Sequence, residues 1–335
     1  MKETKWGMHS LVTSGIFLIL VSLTSCQKTE YDLLDPETAG VWTQYTSEKD
    51  GLPGNEINDI ELDSLGRLWV AFAQHGVGVY SDGSWTYFNT SNSPLLNNSV
   101  TTLEPLPDGG MLIGTYNGLS ILWSNGTWSS YIDPEGTQMD INALKVESDG
   151  TIWIGTNGQG YYAGDGSFFY QYLYTGYENI NAFEEDTRGN FWMGTDNGLV
   201  VFLDAGYAVF TTADGLPDNT VTSLFVDSHN RVWIGTENGF SVGCFDYDYG
   251  LAQLSLMNGL VIDNVNDIYE DKKGDMWFAL WDCGLVKYDF VIGYSYKVYN
   301  GFYENDVKAI GADKDGNLWI GLYRKGLVRY TLPIQ

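Results

Sequence analysis

Seven copies of one pattern run through this chain at intervals of 39 to 44 residues. The copies are anchored on Trp69, Leu112, Trp153, Trp192, Trp233, Trp277 and Trp319. Twelve positions before each anchor stands an aliphatic residue: Ile57, Val100, Ile141, Ile180, Val221, Val265 or Val307. Nine before it stands a second apolar residue, from Ile60 to Ile310. Three before it stands Gly, or Asn230 in the fifth copy, where a tight turn needs positive φ. Two after it every copy has Gly or Ala. Self-similarity at this period marks architectures in which each unit buries its apolar face only against its neighbours.

Each copy reads as four short strands, a to d. Strand a is the apolar pair, ending near an acid such as Asp63, Asp186, Asp227, Asp271 or Asp313; strand b is the Leu-Trp-Ile-Gly-Thr-like run around the anchor. A Gly-bearing turn opens strand c, as at Gly118, Gly198, Gly284 and Gly326. Strand d carries bulky residues three apart, as in Trp85/Phe88, Trp128/Tyr131, Phe169/Tyr172, Tyr207/Phe210, Leu251/Leu254 and Tyr296/Tyr299. No stretch has helical periodicity. The phase decides the architecture: a strand-d signature, Trp42/Tyr45, precedes the first strand a, and the seventh copy stops after strand c. The N-terminal strand therefore completes the last unit and closes a ring with no open end. The fold class is all-β, a seven-bladed β-propeller of four-stranded antiparallel blades over residues 41–335.

Residues 1–25 read as a lipoprotein signal peptide: Lys2 and Lys5, then a short apolar core within Leu11–Leu23, then Leu23-Thr24-Ser25-Cys26. The last four resemble a lipobox, which makes Cys26 the lipidation site and residues 26–40 a linker. The expected location is the bacterial envelope, on the periplasmic side or the cell surface of the outer membrane, with membrane contact through the lipid alone. With Cys26 acylated, Cys244 and Cys283 remain, and whether they pair is left open. The formal charge of −26 repels phosphate backbones and so argues against a nucleic-acid partner. Charged residues make up only 18% while aromatics reach 15%, so Asn, Ser, Thr, Gly and Tyr must cover much of the surface.

Segments such as Gly215-Leu-Pro-Asp-Asn-Thr-Val, Val232-Trp-Ile-Gly-Thr-Glu-Asn-Gly and Gly51-Leu-Pro-Gly-Asn-Glu-Ile resemble the two-component regulator propeller repeat, over about residues 41–335. The resemblance implies a periplasmic sensor propeller of the kind found in hybrid histidine kinases that detect glycans. No kinase, following membrane helix or DNA-binding segment is seen in the sequence, so the expectation is a sensor propeller alone, on a lipid anchor.

The sequence predicts no enzyme, no cofactor and no metal. His75 falls in a b–c turn and His229 in an a–b turn, at opposite ends of a blade, and no nucleophile motif or Cys cluster accompanies them. Asp313-Lys-Asp-Gly-Asn317 looks like a calcium loop, but other copies fill the slot with Asp-Ser-Leu-Gly or Asp-Thr-Arg-Gly, so it reads as a turn. The candidate ligand site is the face bearing the b–c and d–a connections. Eleven residues before the anchors lie Asn58, Thr101, Asn142, Asn181, Thr222, Asn266 and Lys308, which read equally as a channel-mouth ring or as strand-end hydrogen-bonding groups. The b–c turns add His75, Tyr116, Trp281, Asp282, Tyr323 and Arg324. Aromatic planes beside amides, acids and a guanidinium suit a glycan, and equally an envelope protein. The expected centre lies between the first, sixth and seventh blades. Hidden catalysis by a buried carboxylate pair and a purely assembling role are the alternatives.

Overall fold

In the computed structural model the described residues run from 40 to 331, omitting 174–175, 204–205, 239–241, 249, 255–261, 263 and 298–300. The signal peptide, Cys26 and the linker lie outside them. Seven four-stranded antiparallel sheets surround a central channel. Blade 1 is β2 (Ile57–Leu62), β3 (Leu68–Phe72), β4 (Gly76–Ser81) and β5 (Ser84–Phe88), from the axis outward. Blades 2 to 6 repeat this order through β25 (Gly293–Tyr296). Blade 7 holds β26 (Val307–Ala312), β27 (Leu318–Leu322) and β28 (Leu327–Thr331), and its outer strand is β1 (Val41–Tyr45) from the N-terminal side. The register runs from Val41 opposite Thr331 to Tyr45 opposite Leu327, so the ring closes as the repeat phase requires.

Two local expectations are corrected. A single helical turn, α1 (Ser47–Asp50), follows β1: Thr46 caps it by accepting from the Lys49 amide, and Gly51 ends it at φ 74°. It is too short to leave a periodic signal. In blade 6 the outer strand ends at Tyr296, which pairs with Leu285 just as Phe88 pairs with Val77 in blade 1. Tyr296 thus takes the place expected of Tyr299, which lies outside the described residues.

The repeat pattern has a packing cause at each position. The acid six residues before the anchor accepts the indole N–H, as in Asp63–Trp69 (2.8 Å), Asp186–Trp192, Asp227–Trp233, Asp271–Trp277 and Asp313–Trp319. The same carboxylate takes amides of its own a–b turn, so it is buried but saturated; Asp63 accepts from the Leu65 and Arg67 amides. The five indoles are at most 2% exposed, each sealing a blade against its neighbour. Blade 2 replaces the pair with buried Leu106 and Leu112. The Gly after the anchor allows blades to touch: a Cβ on Gly194 would lie 2.7 Å from Val221, and one on Gly321 2.6 Å from Ile57. Cys244 in β20 (Val242–Asp246) is free, so no bridge joins it to Cys283.

Candidate ligand-binding site at the channel mouth

The seven innermost strands line an axial cavity of about 520 Å³. Turns b–c and loops d–a meet at one end of it, because the first turn residue donates its amide to the loop of the same blade: Tyr116 to Ser99, Trp281 to Asn264 and Tyr323 to Asp306. Gly326 likewise donates to Asn55, tying the blade 7 turn to the loop before blade 1.

At this mouth blades 6 and 7 bring together four of the residues singled out from sequence. The Trp281 and Tyr323 rings meet edge to face with centroids 5.0 Å apart. Lys308 Nζ lies 4.7 Å from the Trp281 ring and 5.7 Å from Tyr323, and the Arg324 guanidinium lies 4.8 Å from Tyr323. Both aromatic rings are half-buried. Burial pulls the Lys308 ammonium below its usual range, opposed by the nearby Glu56 and Asp306 carboxylates. Asp282 is exposed beside them, in the left-handed region at φ 65°, where its amide donates to Asp306. Arg324 donates its amide to Glu304, whose carboxyl is raised by burial. His75 sits on the same face, against Gly54 of the loop before blade 1, and Tyr116 is 44% exposed in the blade 2 turn; neither shows a contact with the Trp281–Tyr323 pair.

The polar ring just inside the mouth is engaged between blades. Asn58 donates to the Val100 carbonyl (2.7 Å), Asn181 to Val221 (3.0 Å) and Asn266 to Val307 (2.6 Å), and Thr222 donates to Val265. Each side chain thereby fastens its inner strand to the next one. Asn142 lines the same cavity.

Deeper in the channel lies a charge cluster that the sequence reading missed. Asp59 accepts the Leu103 amide of blade 2, and Asp267 accepts the Ile310 amide of blade 7, each at 2.7 Å. Glu104 accepts the Val146 amide, and Lys145 pairs with Glu184 at 2.7 Å. Removal from bulk water raises Asp59 to about 6 and Glu104 and Asp267 to about 7. Glu61 is pushed well above the carboxylate range by burial and by Asp59 and Glu104. Lys145 resists its own burial because Glu184 and Glu104 hold it charged. The signal was present in the sequence: four positions after the start of strand a stand Glu61, Glu104, Lys145 and Glu184 in the first four copies. Among the described residues no group of three or more His, Cys, Asp or Glu is arranged to hold a metal ion.

Seven sheets closed by the N-terminal strand, with a mouth built from variable turns, define a β-propeller whose framework is separate from its exposed rim. The chain carries two-component regulator propeller repeats, matched at residues 51–74, 135–158, 215–238 and 259–282. It is 25% identical over 186 residues to histidine kinase P4 of Formosa agariphila, covering 52% of this chain and 11% of that protein. Among solved structures it resembles the extracellular domain of the hybrid two component system BT3049 from B. thetaiotaomicron. The TM-score is 0.70 and the identity 19%, over 88% of this chain and 42% of that one. It also resembles virginiamycin B lyase from Staphylococcus aureus, with TM-score 0.69 and 15% identity, over 88% of this chain and all of that one. At these identities the solved structures share the fold. The chain thus spans a minor part of the histidine kinase and less than half of the hybrid-system domain.

Proposed function

We propose that this chain is a non-catalytic recognition module, held outside the cytoplasm by a lipid on Cys26, that binds a carbohydrate at the channel mouth between blades 6 and 7. The observation that carries the reading is the Trp281–Tyr323 pair with the Lys308 amine against both rings and Arg324 beside it. A half-buried aromatic pair presents a face to the apolar side of a sugar, while Asp282 and Arg324 offer groups for its hydroxyls. The likeness to the extracellular domain of a hybrid two component system supports a location outside the cytoplasm. A glycan array followed by calorimetry tests it: Trp281→Ala and Arg324→Ala are each expected to weaken binding by about 1–3 kcal/mol with little change in melting temperature. Normal binding by both variants, or loss of fold in Trp281→Ala, refutes the site.

Catalysis by the channel carboxyls is the second reading, because raised acids in a cleft are a common mark of active sites. Asp59 and Asp267 have both oxygens on backbone amides, and Glu104 is held by Val146 and near Lys145, which leaves Glu61 as the acid with the fewest partners. New reducing ends or unsaturated products from an array-positive glycan, lost in Glu61→Gln, would replace recognition by catalysis. The anchor has its own test. Cys26→Ser is expected to release the protein from the membrane fraction and abolish palmitate labelling; persistent labelling rules the anchor out.

A further inference from the structure

We propose a second carbohydrate-binding surface, remote from the channel mouth, on the outer strand of blade 3. Phe168, Tyr170 and Tyr172 alternate along and just before β13 (Phe169–Tyr172), so their side chains share one face while Phe169 turns inward at 4% exposure. Successive backbone positions on that face are about 6.8 Å apart along the strand. They are 59%, 64% and 39% exposed, which makes one continuous aromatic stripe rather than scattered apolar residues. β13 is the edge of its sheet. Phe168 and Tyr170 meet edge to face at 4.9 Å, and Tyr172 stacks at 5.1 Å on buried Tyr161, which fixes its ring. The Tyr170 hydroxyl has no hydrogen-bond partner among the described residues.

The other blades show that the fold does not ask for Phe168 and Tyr170, whereas Tyr172 holds the bulky strand-d place that every copy fills. Strand register places Thr43, Thr86, Ser129, Ala208, Ala252 and Tyr294 where blade 3 has Tyr170. Of these only Tyr294 is aromatic, and it is half-buried beside Lys287. Where blade 3 has Phe168 the others have Val41, Ser84, Thr127, Gly206, Gly250 and Ile292. Charge selects the occupant. Asp165 is the one charged residue from Gly164 to Leu173, and one of its oxygens already accepts the Ser167 and Phe168 amides, so on a chain of net charge −26 a second copy or an anionic surface is repelled and a basic partner finds a single, partly engaged carboxylate. A neutral polysaccharide meets neither obstacle, and its pyranose faces and hydroxyl rims match exposed phenol rings.

The experiment is native affinity electrophoresis of the full chain in gels containing soluble mixed-linkage β-glucan, galactomannan, arabinoxylan or starch, with polygalacturonate as the anionic comparison. At least one neutral polymer is expected to retard the protein. Installing the blade 1 residues at the same places, Phe168→Ser with Tyr170→Thr, should weaken that retardation by about fivefold or more at unchanged melting temperature. Tyr170→Thr alone is the milder check, and Trp281→Ala should keep the retardation, which separates this surface from the mouth. The proposal is overturned by no retardation in any neutral gel, by equal retardation of the double variant, or by preference for polygalacturonate. A shift of oligomeric state in the double variant by light scattering would also overturn it, assigning the stripe to protein contacts.

Discussion

A chain that begins at Asp50, and so lacks β1, is expected to melt at least roughly 10 °C below the full propeller, with a broadened transition. Its loss leaves the outer side of β28 without the strand that pairs with it over five residues. It also removes Trp42, which packs on Tyr330 at 4.4 Å, Tyr296 at 5.3 Å and Phe302 at 5.6 Å, and Tyr45, which stacks on Trp319 at 5.3 Å. Unpaired backbone and two lost aromatic side chains together cost several kcal/mol. Blades 6 and 7 also meet through Trp42. Differential scanning calorimetry of the two chains decides it; equal melting temperatures would mean that the ring does not depend on this strand.

The second large effect is a stability maximum on the acid side of neutrality. Asp59, Glu104, Asp267 and Glu61 have folded-state pKa values above their unfolded ones, so the native state binds extra protons between about pH 4 and pH 7. Their ionisation disfavours the fold, and stability falls as pH rises through that window. The staple carboxylates Asp186, Asp227 and Asp313 behave oppositely: burial raises them, but the indole, amide and other donors they accept outweigh it and hold them low. Their contribution is present above their unfolded pKa and is lost as pH falls below about 4. Melting temperature is therefore expected to rise by roughly 5–10 °C from pH 8 to pH 5 and to collapse below pH 4. Glu61→Gln should raise the melting temperature at pH 8 and flatten the upper limb. A melting temperature that is constant from pH 8 to pH 5 would show that the channel acids are as well solvated as surface ones.

This division between framework and rim runs through the whole molecule. The acid, the anchor Trp and the following Gly recur because each blade must solve the same contact with its neighbour, and a constraint met seven times becomes visible in one sequence. That is why the blade count, the four strands and the closure by Trp42 and Tyr45 could be read directly. The same logic exposes blade 3, where Phe168 and Tyr170 depart from the Ser, Thr, Ala and Gly of most other copies. Their departure was legible in principle, yet its meaning required knowing that these positions face outward on an edge strand.

What the sequence by itself determined is therefore the repeated part: strand order, the turns that need positive φ, and which blades become neighbours on closure. Tertiary structure alone decided what the polar ring does, because whether Asn58, Asn181 and Asn266 face a ligand or a neighbouring carbonyl depends on the distance between blades. It also decided that Trp281, Tyr323 and Lys308 touch, although they come from three separate strands or turns. The channel acids show the reason most plainly. Asp59 and Asp267 are more than 200 positions apart in the chain, and only ring closure brings them to one axis, where burial raises both proton affinities and the Asp59 charge raises that of Asp267 further.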